Sequence, residues 1–183
     1  MKRSALLDTS RGLTEHLSQS KSEIGGYLRE FLHRKRRDLE RVGRWGSDVA
    51  DRLAEFSDAG KMIRGSLVVL GSDLFGRPRD GEEMRVASAI ELMQTSLLVH
   101  DDIMDRDETR RGMASVHSQY SRLGRSQSLG DPLHFGESMG ICAGDVAIFT
   151  AFEMLGELEV PARTHAAIIS LCSKEMTYVG VAQ

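Results

Sequence analysis

Residues 91–112 read ELMQTSLLVHDDIMDRDETRRG. An apolar run ends in five carboxylates within the eight positions from Asp101 to Glu108, and two arginines follow at once. Like charges on one short segment repel each other, and near a helix C-terminus the backbone dipole also disfavours anions. The segment therefore loses stability unless a cation binds there, so it is the first candidate for a functional site.

The residues before the acidic segment have helical spacing. Apolar side chains recur every three or four positions, at Val86, Ala89, Ile90, Met93 and Leu97, which is typical of one face of a helix. Residues 80–83, DGEE, predict the start of this helix as a capping box, with Asp80 at the N-cap and Glu83 reaching back from N3. The quoted stretch is thus the end of a long helix followed by a charged turn.

The carboxylates and arginines together predict a binding site. Asp101 and Asp105 share one face of a helix, because they are four positions apart, while Asp102 lies about 100° round the axis. Carboxylate oxygens in this arrangement suit Mg²⁺, which keeps several waters and usually bridges to a substrate phosphate. Arg110 and Arg111 follow, and arginine binds phosphate through paired hydrogen bonds. The pattern indicates a site for a Mg²⁺-bound diphosphate.

Three other interpretations of this segment stay open at this point. A charged helix end solvated by water explains a D-x-x-x-D pair by itself. Residues 105–109, DRDET, fit the D-x-D-x-T motif of aspartyl phosphatases, but that motif needs a preceding β-strand and the spacing here is helical. A Ca²⁺ loop needs a glycine in mid-loop and a distal glutamate, and neither is present.

The rest of the chain is predicted to be helical. Three prolines and little clustering of β-branched and aromatic residues favour helices over strands. Helical spacing or apolar positions indicate helices over about residues 21–43, 49–56, 60–75, 116–123, 137–158 and 161–183. Residues 124–136, GRSQSLGDPLHFG, form the most loop-like stretch, and residues 1–20 are expected to be poorly ordered. Long helices joined by short turns predict an all-α bundle.

Composition excludes several classes of protein. The 183-residue chain has a net charge of −3 and a pI near 6.1, so no overall positive field recruits nucleic acid. Cys142 and Cys172 cannot form a disulfide framework or a C-x-x-C knuckle, which favours a reducing cytoplasm. No signal peptide is expected after Met1, and no segment reaches the about 18 consecutive apolar residues that a membrane span needs.

The motifs resemble, in their order, those of the trans-polyprenyl diphosphate synthases, which include farnesyl and geranylgeranyl diphosphate synthases. Residues 91–112 resemble the first aspartate-rich region of that family, D-D-x-x-D followed by R-R-G. GKMIRG, residues 60–65, resembles the G-G-K-R-x-R-P segment. VHSQY, residues 116–120, and GESMGICAGDVAIFTAFEML, residues 136–155, also match. The resemblance covers about residues 60–183 and implies an isoprenoid-synthase-type helix bundle.

The resemblance implies a role for individual residues. Asp101 and Asp105 would bind Mg²⁺ carried by an allylic diphosphate, with Asp102 in support and Arg110 holding that diphosphate. Four further residues would hold isopentenyl diphosphate: Lys61, Arg64, Gln94 and Arg111. At a helix start, the charges of Lys61 and Arg64 and the free backbone N–H groups can point at one anion. Ser96 and Leu97 would form the floor of the product tunnel, and the absence of an aromatic pair there implies a C20 or longer product.

The implied activity is Mg²⁺-dependent condensation of isopentenyl diphosphate with an allylic diphosphate, in a family that is usually homodimeric. Ala59, Met62 and Gly65 stand where the family has a Gly, an Arg and the Pro. The second aspartate-rich motif of the family would lie beyond Gln183, so the chain is expected to be the N-terminal part of a single domain, truncated after about half of the fold.

Two alternative functions remain from the sequence. A non-catalytic truncated chain or partner of such a synthase would explain why the second motif is missing. A class I terpene cyclase also ionises diphosphates at a D-D-x-x-D, but it needs no site for a second substrate. Lys61, Arg64 and Arg111 therefore argue against a cyclase.

Overall fold

The computed structural model describes the backbone of residues 2–76 and 80–182 and the side chains of residues 12–76 and 80–182. This part of the chain contains seven helices, and one small hairpin lies between the fourth and the fifth helix. The elements are α1 (Lys2–Glu40), α2 (Gly46–Asp58), α3 (Ile63–Leu74), α4 (Glu82–Met104), β1 (Thr109–Arg110), β2 (Met113–Ala114), α5 (Val116–Ser126), α6 (Pro132–Gly156) and α7 (Ala162–Ala182). The predicted all-α class is confirmed.

Helix α4 lies at the centre of the bundle. It packs against α6 and α3 and also contacts α1, α2 and α5. Its buried side chains include Leu92 and Val99, and α6 presents small residues to the core, with Ala143, Ala147 and Ala151 fully buried. Small side chains let two helix backbones approach closely, so α4 is held on several sides and its C-terminal acidic end has a fixed position.

Helix α6 is the most apolar element. By length and composition it could span a membrane, although 44% of its apolar window is buried inside the protein. Its buried residues belong to the same core as those of α4 and α5. An apolar helix of this kind is expected at the centre of a helical bundle, and it does not by itself establish a membrane span.

Two helix starts differ from the prediction. The N-cap of α4 is Gly81 rather than Asp80. Glu83 does accept a hydrogen bond from the Gly81 N–H at 3.1 Å, while Asp80 accepts one from the Glu82 N–H at 3.2 Å. Helix α6 begins at Pro132, earlier than the predicted residue 137, because Asp131 caps it by accepting from the His134 N–H at 3.0 Å. The predicted loop over residues 124–136 was therefore too long.

Helix α1 begins at Lys2 rather than near residue 21. The first buried side chains in the described part are Ser20 and Ile24. Residues 12–19 contribute no buried apolar side chain to the core, so this part of the extension has no apolar period that the sequence could reveal. The side chains of residues 1–11 lie outside the described residues, and the expected poor order of residues 1–20 stays a prediction.

Candidate functional site

The acidic segment lies where α4 ends. Asp101 and Asp102 are in the last turn, and Asp105 is the C-cap, with its N–H bonded to the Asp101 carbonyl at 2.8 Å. Arg106 then adopts a left-handed backbone, φ 58°, which turns the chain away from the helix. The Asp105 side chain is exposed and that of Asp101 is partly exposed, whereas Asp102 is fully buried. The two aspartates predicted to bind metal thus face outward, and the third faces the core.

Arg110 is held by three carboxylates. Its Nε donates to Oδ1 of Asp102, and its Nη2 lies 3.2 Å from Oδ2 of Asp101 and 3.5 Å from Oδ2 of Asp107. Burial raises the pKa of Asp102 above its usual range, and the hydrogen bond and charge of Arg110 offset only part of that rise. Burial alone would lower the pKa of Arg110, but the hydrogen bond and charge of Asp102 outweigh it, so that pKa is raised.

A tight hairpin places the two arginines. Strands β1 and β2 are antiparallel, with Arg110 opposite Met113. The connecting residues, Arg111 and Gly112, both have a left-handed backbone, with φ of 54° and 80°. Two-residue loops of this kind match the twist of a hairpin, and Gly112 adopts its conformation without steric cost. The sequence analysis missed this hairpin, although the Arg-Gly pair was a signal for it.

Arg111 points away from Arg110 and towards α2. Its Nη1 donates to the Phe56 carbonyl at 3.3 Å, and its guanidinium carbon lies 5.8 Å from the centre of the Phe56 ring. Desolvation lowers the pKa of Arg111, although the charge of Glu91 partly opposes this. The hairpin therefore directs two neighbouring cations into two different environments.

A cationic cavity lies between α3, α4 and the hairpin. Its volume is about 520 Å³, and the lining includes all four residues predicted to hold isopentenyl diphosphate: Lys61, Arg64, Gln94 and Arg111. Lys61 precedes α3, whereas Arg64 is in its first turn. We call this space the cationic cavity. It brings together residues that are up to 50 positions apart in the sequence.

The cationic cavity also contains a residue that the sequence analysis did not single out. Glu91 lines it and is only 9% exposed. Its Oε1 accepts a hydrogen bond from the Gly65 N–H at 2.7 Å. One backbone donor at the start of α3 is thus bound by Glu91, so the Gly65 N–H is not free for an anion.

An apolar groove adjoins the cationic cavity. It has a volume of about 310 Å³ and lies between α4 and α7, and Arg64 and Gln94 line both spaces. The apolar lining consists of Ile90, Met93, Leu97, Leu171, Cys172, Met176 and Val179. Leu97, which the sequence predicted in the floor of a product tunnel, lines this groove, and its role there stays a prediction. Ser96 is 1% exposed and is not among the described residues that line this groove, so its role in a tunnel floor stays a prediction.

The carboxylates at the acidic end of α4 differ in whether they are open to a metal. Among the described residues, no group of three or more His, Cys, Asp and Glu side chains is arranged to hold a metal ion. Asp102 is closed off, because its Oδ2 is buried without a hydrogen-bond partner in the described part of the chain. Asp101 and Asp105 remain as outward carboxylates. Such a pair fits Mg²⁺, which completes its shell with waters and substrate phosphates, and does not fit an all-protein metal cage.

The fold is that of the isoprenyl diphosphate synthases. The chain matches the geranylgeranyl pyrophosphate synthase from Corynebacterium glutamicum, a structure solved with isoprenyl diphosphate and magnesium. The TM-score is 0.74 and the sequence identity is 29%, over 80% of this chain and 43% of that one. It matches the geranylgeranyl pyrophosphate synthetase from Pyrococcus horikoshii with a TM-score of 0.67 and 28% identity, over 91% of this chain and 44% of that one.

Residues 47–183 match the polyprenyl synthetase family, and the chain belongs to it. The short chain isoprenyl diphosphate synthase of Methanothermobacter thermautotrophicus is 40% identical over 118 residues, which are 63% of this chain and 31% of that protein. The geranylgeranyl diphosphate synthase of Sulfolobus acidocaldarius is 37% identical over 100 residues, 55% of this chain and 26% of that protein. The matched region is thus about a quarter to a third of the length of these relatives, and the predicted family is confirmed.

Proposed function

We propose that this chain forms the part of a prenyltransferase that binds both diphosphates of chain elongation. The reaction is the condensation of isopentenyl diphosphate with an allylic diphosphate. The observation that carries the proposal is the cationic cavity, because Lys61, Arg64, Gln94 and Arg111 line one space next to an apolar groove. One hairpin links this cavity to the acidic end of α4, since Arg111 lines the cavity and Arg110 binds Asp101 and Asp102.

The residues of the chain support separate parts of this reaction. Lys61, Arg64 and Arg111 bind the diphosphate of isopentenyl diphosphate with charge-assisted hydrogen bonds, and Gln94 adds a neutral donor. Asp101 and Asp105 hold Mg²⁺, and the chemistry that the ion supplies when bound is neutralisation of charge on the leaving diphosphate. Arg110, kept in place by Asp102, offers its remaining donors to that same diphosphate.

The carbon skeletons belong in the apolar groove. Breaking the C–O bond of the allylic diphosphate leaves a carbocation, which the alkene of isopentenyl diphosphate attacks. Loss of a proton then completes an extension by five carbons. A groove lined by Leu97, Leu171 and Met176 offers the cation an apolar surface in place of water, which would otherwise capture it. No aromatic side chain lines this groove among the described residues, and this supports a C20 or longer product.

Isothermal titration with isopentenyl diphosphate tests the cavity. Replacing Lys61 or Arg111 by Ala should weaken binding about tenfold or more, because each removes a charged hydrogen-bond donor. The matched control is Arg34→Ala, which removes an exposed arginine paired with Glu30 on α1, away from the cavity. If the unchanged chain and all three variants bound isopentenyl diphosphate with equal affinity, the cavity would not be its binding site.

A second candidate function is a non-catalytic chain that pairs with another synthase subunit. It is favoured by α7, which has no buried side chain among the described residues although Leu171 and Tyr178 are apolar and exposed. Incubation of the chain alone with Mg²⁺, isopentenyl diphosphate and a short allylic diphosphate should give little or no elongation. Robust elongation would exclude the non-catalytic chain.

The homodimer and the cytoplasmic location stay predictions. Sedimentation of the chain tests the homodimer.

A further inference from the structure

The start of α3 is capped from another helix. Its N-cap residue is Met62, which has a left-handed backbone, φ 51°, and makes no side-chain capping bond within the described residues. The first N–H groups of a helix have no partner inside the helix and need an acceptor from elsewhere. Glu91 of α4 supplies it, since Oε1 accepts from the Gly65 N–H at 2.7 Å. A buried carboxylate thus replaces the local cap that Met62 cannot provide.

Gly65 makes this contact possible in two ways. It has an N–H to donate, which a proline at this position would not have. It also lets the two helices approach closely, because a Cβ on residue 65 would lie 2.9 Å from the Ala87 carbonyl oxygen and 3.0 Å from Cγ of Glu91. The short distance between α3 and α4 and the buried hydrogen bond are therefore parts of one arrangement.

Glu91 connects the two walls of the cationic cavity. It lies one turn before Gln94 on α4, and it lines the cavity. Its acceptor oxygen holds the first turn of α3, which carries Arg64 and follows Lys61. The charge of Glu91 has two opposite effects. A negative charge stabilises a helix N-terminus, but it also repels an anion bound in the same cavity. The hydrogen-bond acceptor, unlike the charge, holds the start of α3 without repelling an anion in the cavity.

We propose that Glu91 is a positioning residue for the cationic cavity, and that its hydrogen bond to Gly65 sets the positions of Lys61 and Arg64. This inference rests on the proposed function, because it takes a diphosphate as the ligand of the cavity. The residue acts through the start of α3 and not as a donor to the ligand.

Two variants of nearly the same shape separate the acceptor from the charge. Glu91→Gln keeps an oxygen that can accept from the Gly65 N–H and removes the charge, whereas Glu91→Met keeps the volume and removes the acceptor. Inorganic pyrophosphate is titrated into the full 183-residue chain by calorimetry, and hydrogen exchange of the Gly65 amide is followed by NMR. We expect Glu91→Gln to bind pyrophosphate as tightly as the unchanged chain or several-fold more tightly. Glu91→Met should bind about tenfold more weakly and exchange the Gly65 amide faster.

The matched control is Glu83→Met. Glu83 also accepts a backbone N–H at a helix start, from Gly81 at 3.1 Å, but it does not line the cavity among the described residues. This variant should lose stability without a change in pyrophosphate affinity. If Glu91→Gln and Glu91→Met bound pyrophosphate with equal affinity, the inference would be wrong and the proposed function would stand. The same would follow if the Gly65 amide exchanged at an unchanged rate in Glu91→Met. Pyrophosphate binding that is insensitive to Lys61→Ala would overturn the proposed function, and the inference with it.

Discussion

Nε of Arg110 donates to Oδ1 of Asp102, a side chain that is fully buried at the end of α4. The pair joins the hairpin to the helix, and the two adjacent aspartates have different surroundings, although Arg110 also lies 3.2 Å from Asp101. Asp101 faces outward, where a metal and its phosphate can reach it. Asp102 faces inward and holds an arginine. The D-D pair is therefore not two equivalent ligands, which the sequence pattern alone could not distinguish.

Removing Asp102 should destabilise the fold much more than removing its exposed neighbour. Asp102→Ala leaves Arg110 without its buried partner, and breaking such a pair costs about 3 kcal/mol of unfolding free energy. Asp105→Ala removes an exposed carboxylate and should change the unfolding free energy by less than about 1 kcal/mol. Urea denaturation followed by circular dichroism measures both. Equal losses for the two variants would show that the Asp102–Arg110 pair does not hold the hairpin.

Adding an aromatic ring at Leu97 should fill the apolar groove. Leu97→Phe is expected to weaken binding of a long isoprenoid diphosphate and to leave that of isopentenyl diphosphate unchanged, because only the first needs the groove. Ser96→Phe instead places a ring at a buried position and should cost about 1–3 kcal/mol of stability. Calorimetric titrations and thermal unfolding separate the two effects. If Leu97→Phe weakened both ligands equally, the groove would not be the site of the carbon chain.

The two cysteines should differ in reactivity. Cys142 is exposed, whereas Cys172 is partly buried on the groove and burial raises the pKa of its thiol above its usual range. Because the thiolate is the reactive form, iodoacetamide near pH 8 should modify Cys142 several-fold faster. Because the pKa of Cys172 is raised, its rate should continue to climb at pH values at which an ordinary thiol is already ionised. Peptide mass spectrometry measures both rates, and a long isoprenoid diphosphate should slow Cys172 alone. Faster alkylation of Cys172 would contradict its position in the groove.

Gly144 should not tolerate a side chain. A Cβ there would lie 2.2 Å from Nε2 of His100, so Gly144→Ala must displace that ring or separate α4 from α6, at a cost of about 1–3 kcal/mol. The matched control is Gly71→Ala in α3, where a Cβ would meet no described atom within 4 Å. That change should stabilise the helix by about 0.5–1 kcal/mol. Thermal unfolding of the two variants should therefore shift in opposite directions, and shifts of the same sign would refute the close helix contact.

Helical periodicity predicted most of the fold. The predicted positions of α2, α5 and α7 are close to those observed, because each places apolar residues at regular spacing or follows a clear break. The early start of α6 was missed although Asp131 and Pro132 form a capping signal, since the loop-like composition around them was given more weight. The extension of α1 had no such signal, because the described side chains of residues 12–19 place no apolar residue in the core.

The residues of the candidate site could be named from the sequence, but their contacts could not. The resemblance to the family identified Lys61, Arg64, Gln94 and Arg111, and the structure brings these four to one cavity. The part played by Glu91 depends on the close approach of α3 to α4 at Gly65, which is a tertiary contact without a local pattern. The opposite directions of Arg110 and Arg111 likewise follow from the hairpin and not from their adjacency in the chain.

The most direct measurement is NMR of the side-chain carboxyl carbons of the full chain, titrated with Mg²⁺ and inorganic pyrophosphate, separately and together. If the acidic end of α4 holds a metal-bound diphosphate, the signals of Asp101 and Asp105 should move strongly only when both are present, while that of Asp38 on α1 should stay in place. Unchanged signals for Asp101 and Asp105 at saturating Mg²⁺ and pyrophosphate would contradict the central claim.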